Sequence, residues 1–199
     1  VQCKLTVIKM KGWKRKIDYT ATGLQWIPSS PHIPHPHSAF FYPVSGILGE
    51  LGYMSIGVGY TIPFQMFAAP WAEADKLADA LNELHVPGVI FRPIYLQPFY
   101  SVGKGEQLQG VQVHITDYAK APLSPIQFLV MQEVARLWPD RAVFDHADKG
   151  RFNMFDKVCG SRQIRERFSQ NNRWEDIRPY WEKDVESFRQ LSKKYYLYR

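Results

Sequence analysis

Cysteine is nearly absent. The 199 residues hold two, Cys3 and Cys159, too few for a disulfide framework and without the spacing of a zinc site. They are able to pair with each other, but two buried free thiols are the expected state. No apolar run approaches the ~18 residues a membrane-crossing helix needs, so membrane insertion is not expected. Gly57-Val58-Gly59 lacks the third glycine of a dinucleotide fingerprint and is expected to serve a tight turn or a close backbone approach. His32, His35 and His37 lie between prolines that hold the chain extended and splay the rings apart, with no acid or thiol beside them. No metal and no cofactor is predicted. The first ten residues have neither an initiator methionine nor the charged and apolar regions of a signal peptide. The expectation is that something precedes them.

What is present argues for a packed protein. The chain is 45% hydrophobic and 15% aromatic, enough apolar surface to offset the entropy of ordering it. The formal net charge is +6, which favours polyanions. Much of that charge sits in Lys9, Lys11, Lys14, Arg15 and Lys16 and again around Arg162–Arg173. These runs lack the interleaved aromatics of a base-stacking surface. A solvated basic face is expected, and no nucleic-acid partner.

Residues 1–10 read as a strand, with Cys3, Leu5 and Val7 on one face. Residues 22–63 are rich in Pro, Gly, Ser and His and show no clear period. Their aromatics (Trp26, Phe40, Tyr42, Tyr60) predict an ordered, cleft-lining segment rather than a loose one. Ala74, Leu77, Ala78 and Leu81 follow helical spacing up to Pro87-Gly88, and Val89–Leu96 is rich in strand formers. Gly110–Asp117 alternates, with Val111, Val113 and Ile115 opposite Gln112 and His114. Ser124-Pro125 opens a helix to Leu137. A last helix is expected from Pro179, its stripe of Trp181, Val185, Phe188 and Leu191 packing on the core, followed by a docked tail.

Several ordered segments resemble the exo-β-N-acetylmuramidase (NamZ) family. They include Thr22-Gly23-Leu24-Gln25-Trp26-Ile27-Pro28-Ser29-Ser30-Pro31, Gly57-Val58-Gly59-Tyr60-Thr61-Ile62-Pro63, Phe91-Arg92-Pro93 and Gly110-Val111-Gln112-Val113-His114-Ile115-Thr116-Asp117. The resemblance spans nearly the whole chain. It implies an α/β (α+β) protein: residues 1–65 as the end of a Rossmann-like domain, and residues 66–199 as a smaller domain with a mixed sheet and packed helices. It further implies a periplasmic or secreted glycosidase that releases terminal N-acetylmuramic acid from peptidoglycan fragments. A non-catalytic glycan-binding module is the alternative. Family members often read Ser-Glu-Gly-Arg-Gly-Thr where this chain has Ser55-Ile56-Gly57-Val58-Gly59-Tyr60, so a carboxylate and a guanidinium suited to sugar and lactyl groups are gone.

Glycoside hydrolysis ordinarily uses two carboxyl groups. Glu50, in the cleft-lining segment, is the first candidate, and Asp117, at a strand end, is the second. Each has a structural alternative as a turn carboxylate. The expected sugar contacts are Trp26, Tyr42, Gly57, Gly59, Tyr60, Thr61, Arg92, Gln112 and His114. The aromatics would stack on pyranose faces, and the polar strand face would hydrogen-bond hydroxyls.

Overall fold

The computed structural model describes residues 2–198. Its helices are α1 (Ser38–Gly49), α2 (Ala74–Glu83), α3 (Pro125–Leu137), α4 (Val143–His146), α5 (Phe152–Val158), α6 (Arg162–Asn171), α7 (Trp174–Glu182) and α8 (Val185–Ser192). Its strands are β1 (Met66–Ala69), β2 (Val89–Leu96) and β3 (Leu108–Ile115), in the order β1-β3-β2. The class is α+β as expected. Both strand pairings are antiparallel, with Met66 opposite Gln112 and Arg92 opposite Gln112, so the sheet is not the mixed one the resemblance implied.

One face of the sheet carries Phe67, Val89, Phe91, Val111 and Val113 into the main core against Leu77, Ala78 and Leu81 of α2. Burying each such side chain contributes roughly 1.5–3 kcal/mol. The free edge of β2 is held by Asn82, whose amide donates to the Phe91 carbonyl at 2.8 Å and accepts from the Phe91 N–H at 2.9 Å. Ser55 closes the outer edge of β1 by exchanging two backbone bonds with Ala68. Each edge is thus bonded at one central residue, Phe91 on β2 and Ala68 on β1.

Helix α1 lies inside the segment that shows no period in the sequence. Phe41, Val44, Ile47 and Leu48 are buried at helical spacing, but Pro43 and two glycines mask the pattern. Proline removes a backbone donor and disturbs the preceding turn. Gln127 of α3 ties down the turn that follows: its Oε1 accepts from Leu48 N–H at 2.9 Å, and its Nε2 donates to the Pro43 carbonyl at 3.0 Å. The side chain is wholly buried, and loss of its amide would strand backbone groups at about 1–3 kcal/mol each. Through this contact α1 belongs to the same core as α3 and the sheet.

Other expectations are corrected. Residues 2–10 form no strand among the described residues, because a strand needs a partner for its N–H and C=O groups and none lies alongside. The last helix is two helices. Asn172 in the left-handed region and Glu175 and Asp176 in the first turn start α7 at Trp174, and Pro179 lies inside it. The stripe divides with them: Trp174 and Ile177 are buried against Phe128, whereas Val185, Phe188 and Leu191 are exposed. The tail is tied only at its end, where Met10 N–H donates to the Tyr198 hydroxyl at 2.8 Å and Arg15 lies over Tyr196. Cys3 is exposed and Cys159 half-buried, both free, so only the second approaches the buried thiol expected.

Candidate functional site

Residues 55–65 form the hub of the site. The segment leaves the sheet at Ser55 and returns at Gln65, whose carbonyl accepts from Val113 N–H at 2.8 Å. Phe64 N–H donates to the Ile56 carbonyl at 2.7 Å, and the Ser45 hydroxyl of α1 donates to the Phe64 carbonyl at 2.9 Å. Gly57 and Gly59 have φ of +87° and +95°, a region that strains any other residue. A Cβ on Gly57 would meet the Ile62 carbonyl, and one on Gly59 the Tyr100 carbonyl. The two glycines thus serve a tight turn and a close backbone approach, and they aim Val58 between them.

Val58 faces a cavity of about 260 Å³ lined also by His32, Tyr42, Glu50, Ile56 and Phe64, with Ser101 and Val102 at its far wall. Four stretches of chain meet there. Helix α1 brings Tyr42 and, at its C-terminal end, Glu50. A turn around residues 30–33 brings His32; Trp26 secures that turn by donating its indole N–H to the Ile33 carbonyl at 3.2 Å. The Tyr100 hydroxyl lies 3.0 Å from His32 Nδ1. The Tyr42 ring meets Phe64 edge-on, centroids 4.8 Å apart. Arg151 donates to the Glu50 carbonyl at 2.9 Å, fixing the end of α1 from which the carboxylate projects.

The remaining candidates lie elsewhere. Arg92 and Gln112 are paired on the sheet face opposite α2, the guanidinium donating to the amide oxygen at 3.0 Å. His114 stands beside them with its pKa lowered, first by burial and then by the Arg92 charge. Along the same face, Tyr60 packs over Met66, Ala68 and Ile94; Thr61 is exposed. Gly57 and Tyr60 therefore link the cavity to the sheet face. Asp117 is set apart. It caps its own turn, accepting from Ala119 N–H at 2.9 Å and pairing with Lys120 at 3.1 Å. The Lys120 and backbone hydrogen bonds hold its carboxyl below the usual range.

The two carboxylates do not form a pair. Tyr118, next to Asp117, packs on Phe40 near the start of α1, centroids 4.8 Å apart, and Glu50 follows the end of that helix. Phe40 and Glu50 are separated by roughly 15 Å of helix rise, so Asp117 lies toward the opposite end of α1 from Glu50, and it is not among the residues lining the cavity. Among the described residues no group of three His, Cys, Asp or Glu is placed to hold a metal, and no helix is long and apolar enough to cross a membrane. His32 lines the cavity and Tyr100 holds it by a hydrogen bond; neither is among the sugar contacts expected from the sequence. The prolines flanking His32 indicated only an extended chain, and nothing near Tyr100 pointed to the cavity.

Fold and site together define an α+β domain with a small acid-bearing cavity behind a glycine loop. The chain belongs to the exo-β-N-acetylmuramidase NamZ family. The model of the family's C-terminal domain matches residues 40–198, and that of its N-terminal domain matches residues 1–37. The chain is 35% identical to the peptidoglycan β-N-acetylmuramidase NamZ of Bacillus subtilis over 198 residues, which are 100% of this chain and 46% of that protein. A crystal structure of a DUF1343 family protein from Bacteroides fragilis superposes with a TM-score of 0.97 at 79% identity, over 99% of this chain and 51% of that one. The chain thus spans about half the length of the relatives it matches.

Proposed function

We propose that this chain acts on peptidoglycan fragments as part of an exo-acting glycosidase that releases terminal N-acetylmuramic acid, outside the cytoplasmic membrane and with water as acceptor. The observation that carries the reading is the cavity behind Gly57–Gly59, which seats one carboxylate, Glu50, among sugar-sized apolar and aromatic walls in a chain of this family. Glu50 is the candidate for proton transfer at the glycosidic oxygen. Tyr42 and Tyr60 offer ring faces, and Arg92, Gln112 and His114 offer hydrogen bonds farther along the glycan.

Binding without turnover is the second reading. It is favoured by the isolation of Glu50 from Asp117 and by Ile56 and Val58 in the cavity wall, where charged side chains would serve a reacting sugar. The test is release of free N-acetylmuramic acid from a MurNAc–GlcNAc disaccharide by this chain and by its Glu50→Gln variant. Turnover abolished by Glu50→Gln, at least ~100-fold down, supports the first reading. Binding of the disaccharide with no turnover supports the second.

A further inference from the structure

The cavity wall has two chemistries, and their combination selects a functional group. This inference rests on the glycan reading above and sharpens it. On one side are Met54, Ile56, Val58, Phe64 and Val102; the first two and Phe64 are almost fully buried. On the other are Glu50 and His32, the only carboxylate and the only imidazole in the lining, with the Tyr42 phenol beside them. Gly46 and Gly49 contribute no side chain, and the absence of a Cβ at Gly49 lets Ile56 pack directly against α1.

His32 is a fixed group. Its own N–H donates to the Ser30 hydroxyl at 3.2 Å, and its Nδ1 is 3.0 Å from the Tyr100 hydroxyl. When the Tyr100 phenol donates to Nδ1, the ring hydrogen sits on Nε2 and that nitrogen is the donor. Tyr100 is itself placed by the chain passing Gly59, where Phe99 N–H donates to the Gly59 carbonyl at 3.0 Å. The glycine at 59 therefore serves His32 as well as the turn.

The cavity thus offers a donor, an acceptor and an apolar wall within about 260 Å³. That is just under the roughly 300–1,000 Å³ of sites enclosing drug-sized ligands, a volume suited to one sugar unit. A secondary amide bearing a methyl group uses all three features: its carbonyl accepts, its N–H donates and its methyl needs dry surface. A hydroxyl leaves the apolar wall unfilled, and an ammonium would carry charge against it.

We propose that this cavity is the subsite for the 2-acetamido group of one amino-sugar unit. His32 donates to the acetamido carbonyl, one oxygen of Glu50 accepts from its N–H while the other stays free for the glycosidic oxygen, and Ile56 and Val58 enclose the methyl. His32 is then a specificity-determining residue, and Tyr100 positions it. The apolar residues at 56 and 58 become part of recognition rather than only a loss of charge.

The test is binding of methyl β-N-acetylglucosaminide against methyl β-glucoside to the full chain, by calorimetry or saturation-transfer NMR. The acetamido sugar is expected to bind about tenfold more tightly, the value of one satisfied buried hydrogen bond. His32→Ala should erase the preference, and His32→Gln, which keeps an N–H donor, should retain most of it. Tyr100→Phe should weaken it. His32 is half-buried, and an unchanged thermal unfolding curve verifies that each variant is folded. Equal affinity for the two sugars, or a preference untouched by His32→Ala, would overturn the subsite. If the disaccharide is bound or cleaved without any acetamido preference, the glycan reading stands and only this subsite falls. If no sugar binds, both fall.

Discussion

Helices α7 and α8 carry the same kind of apolar spacing and end in opposite environments. Trp174 and Ile177 of α7 close over Phe128, Phe155 and Phe168. Beyond Lys183 and Asp184 the stripe continues as Val185, Phe188 and Leu191, which are 45%, 66% and 53% exposed. Residues 2–10 repeat the lesson in strand form: their alternation is regular, yet Ile8 is 91% exposed. A periodic pattern states which face favours burial, but burial itself requires a surface to meet.

The contrast is sharpest at two phenylalanines. Phe128 is fully buried among Phe155, Phe168, Trp174 and Trp181. Phe128→Ala is expected to cost about 3–5 kcal/mol through lost transfer energy and the cavity left behind, read as a lower midpoint in urea unfolding. A loss below about 1 kcal/mol would mean that this cluster is not the centre of the core.

The two cysteines extend the comparison to reactivity. Burial, helped by the Asp156 carboxylate, pushes the Cys159 thiol up to about 12, from the usual 9.0. Cys3 is exposed. At about pH 8 a thiol reagent should label Cys3 first and Cys159 more than ~10-fold more slowly, since the thiolate is the reactive form. The same shift has a stability sign. The folded chain holds the Cys159 proton that the unfolded chain releases, so stability falls as pH rises from about 9 to about 12. Cys159→Ser should flatten that alkaline slope; a slope unchanged in the variant would assign it to other groups.

The smallest effect belongs to α8. Phe188→Ser should change the stability of this chain by less than about 0.5 kcal/mol, as at an exposed site. A loss of 2 kcal/mol or more, on the scale of a buried phenylalanine, would show that α8 packs in solution and would erase the distinction drawn here.

Much of the fold was legible where local signals agreed with the tertiary outcome. Helix α2 showed in Leu77, Ala78 and Leu81, β3 in the alternation of Val111 and Val113, and α3 in Ser124-Pro125. Helix α1 was not, because Pro43 and its glycines read as loop until Gln127 supplies hydrogen bonds from 84 residues away. The start of α7 is hidden because Pro179 looks like one, although Asn172 in the left-handed region ends α6 just before it. In the site, Tyr42 and Glu50 meet in one cavity as candidates from the same segment, whereas Asp117 lies at the other end of α1.

The sequence by itself determined the class of the protein, its family resemblance and the need for glycine at 57 and 59, because these depend on local chemistry and on order along the chain. Tertiary structure alone decided that His32 shares a cavity with Glu50 while bonding to Tyr100, and that Arg92 pairs with Gln112 away from it. Residues 32, 50, 58 and 100 are brought together by the packing of α1 and the folding of 55–65 onto the sheet. Such contacts arise from many weak burial terms summed over the whole core, and no spacing within the chain encodes them.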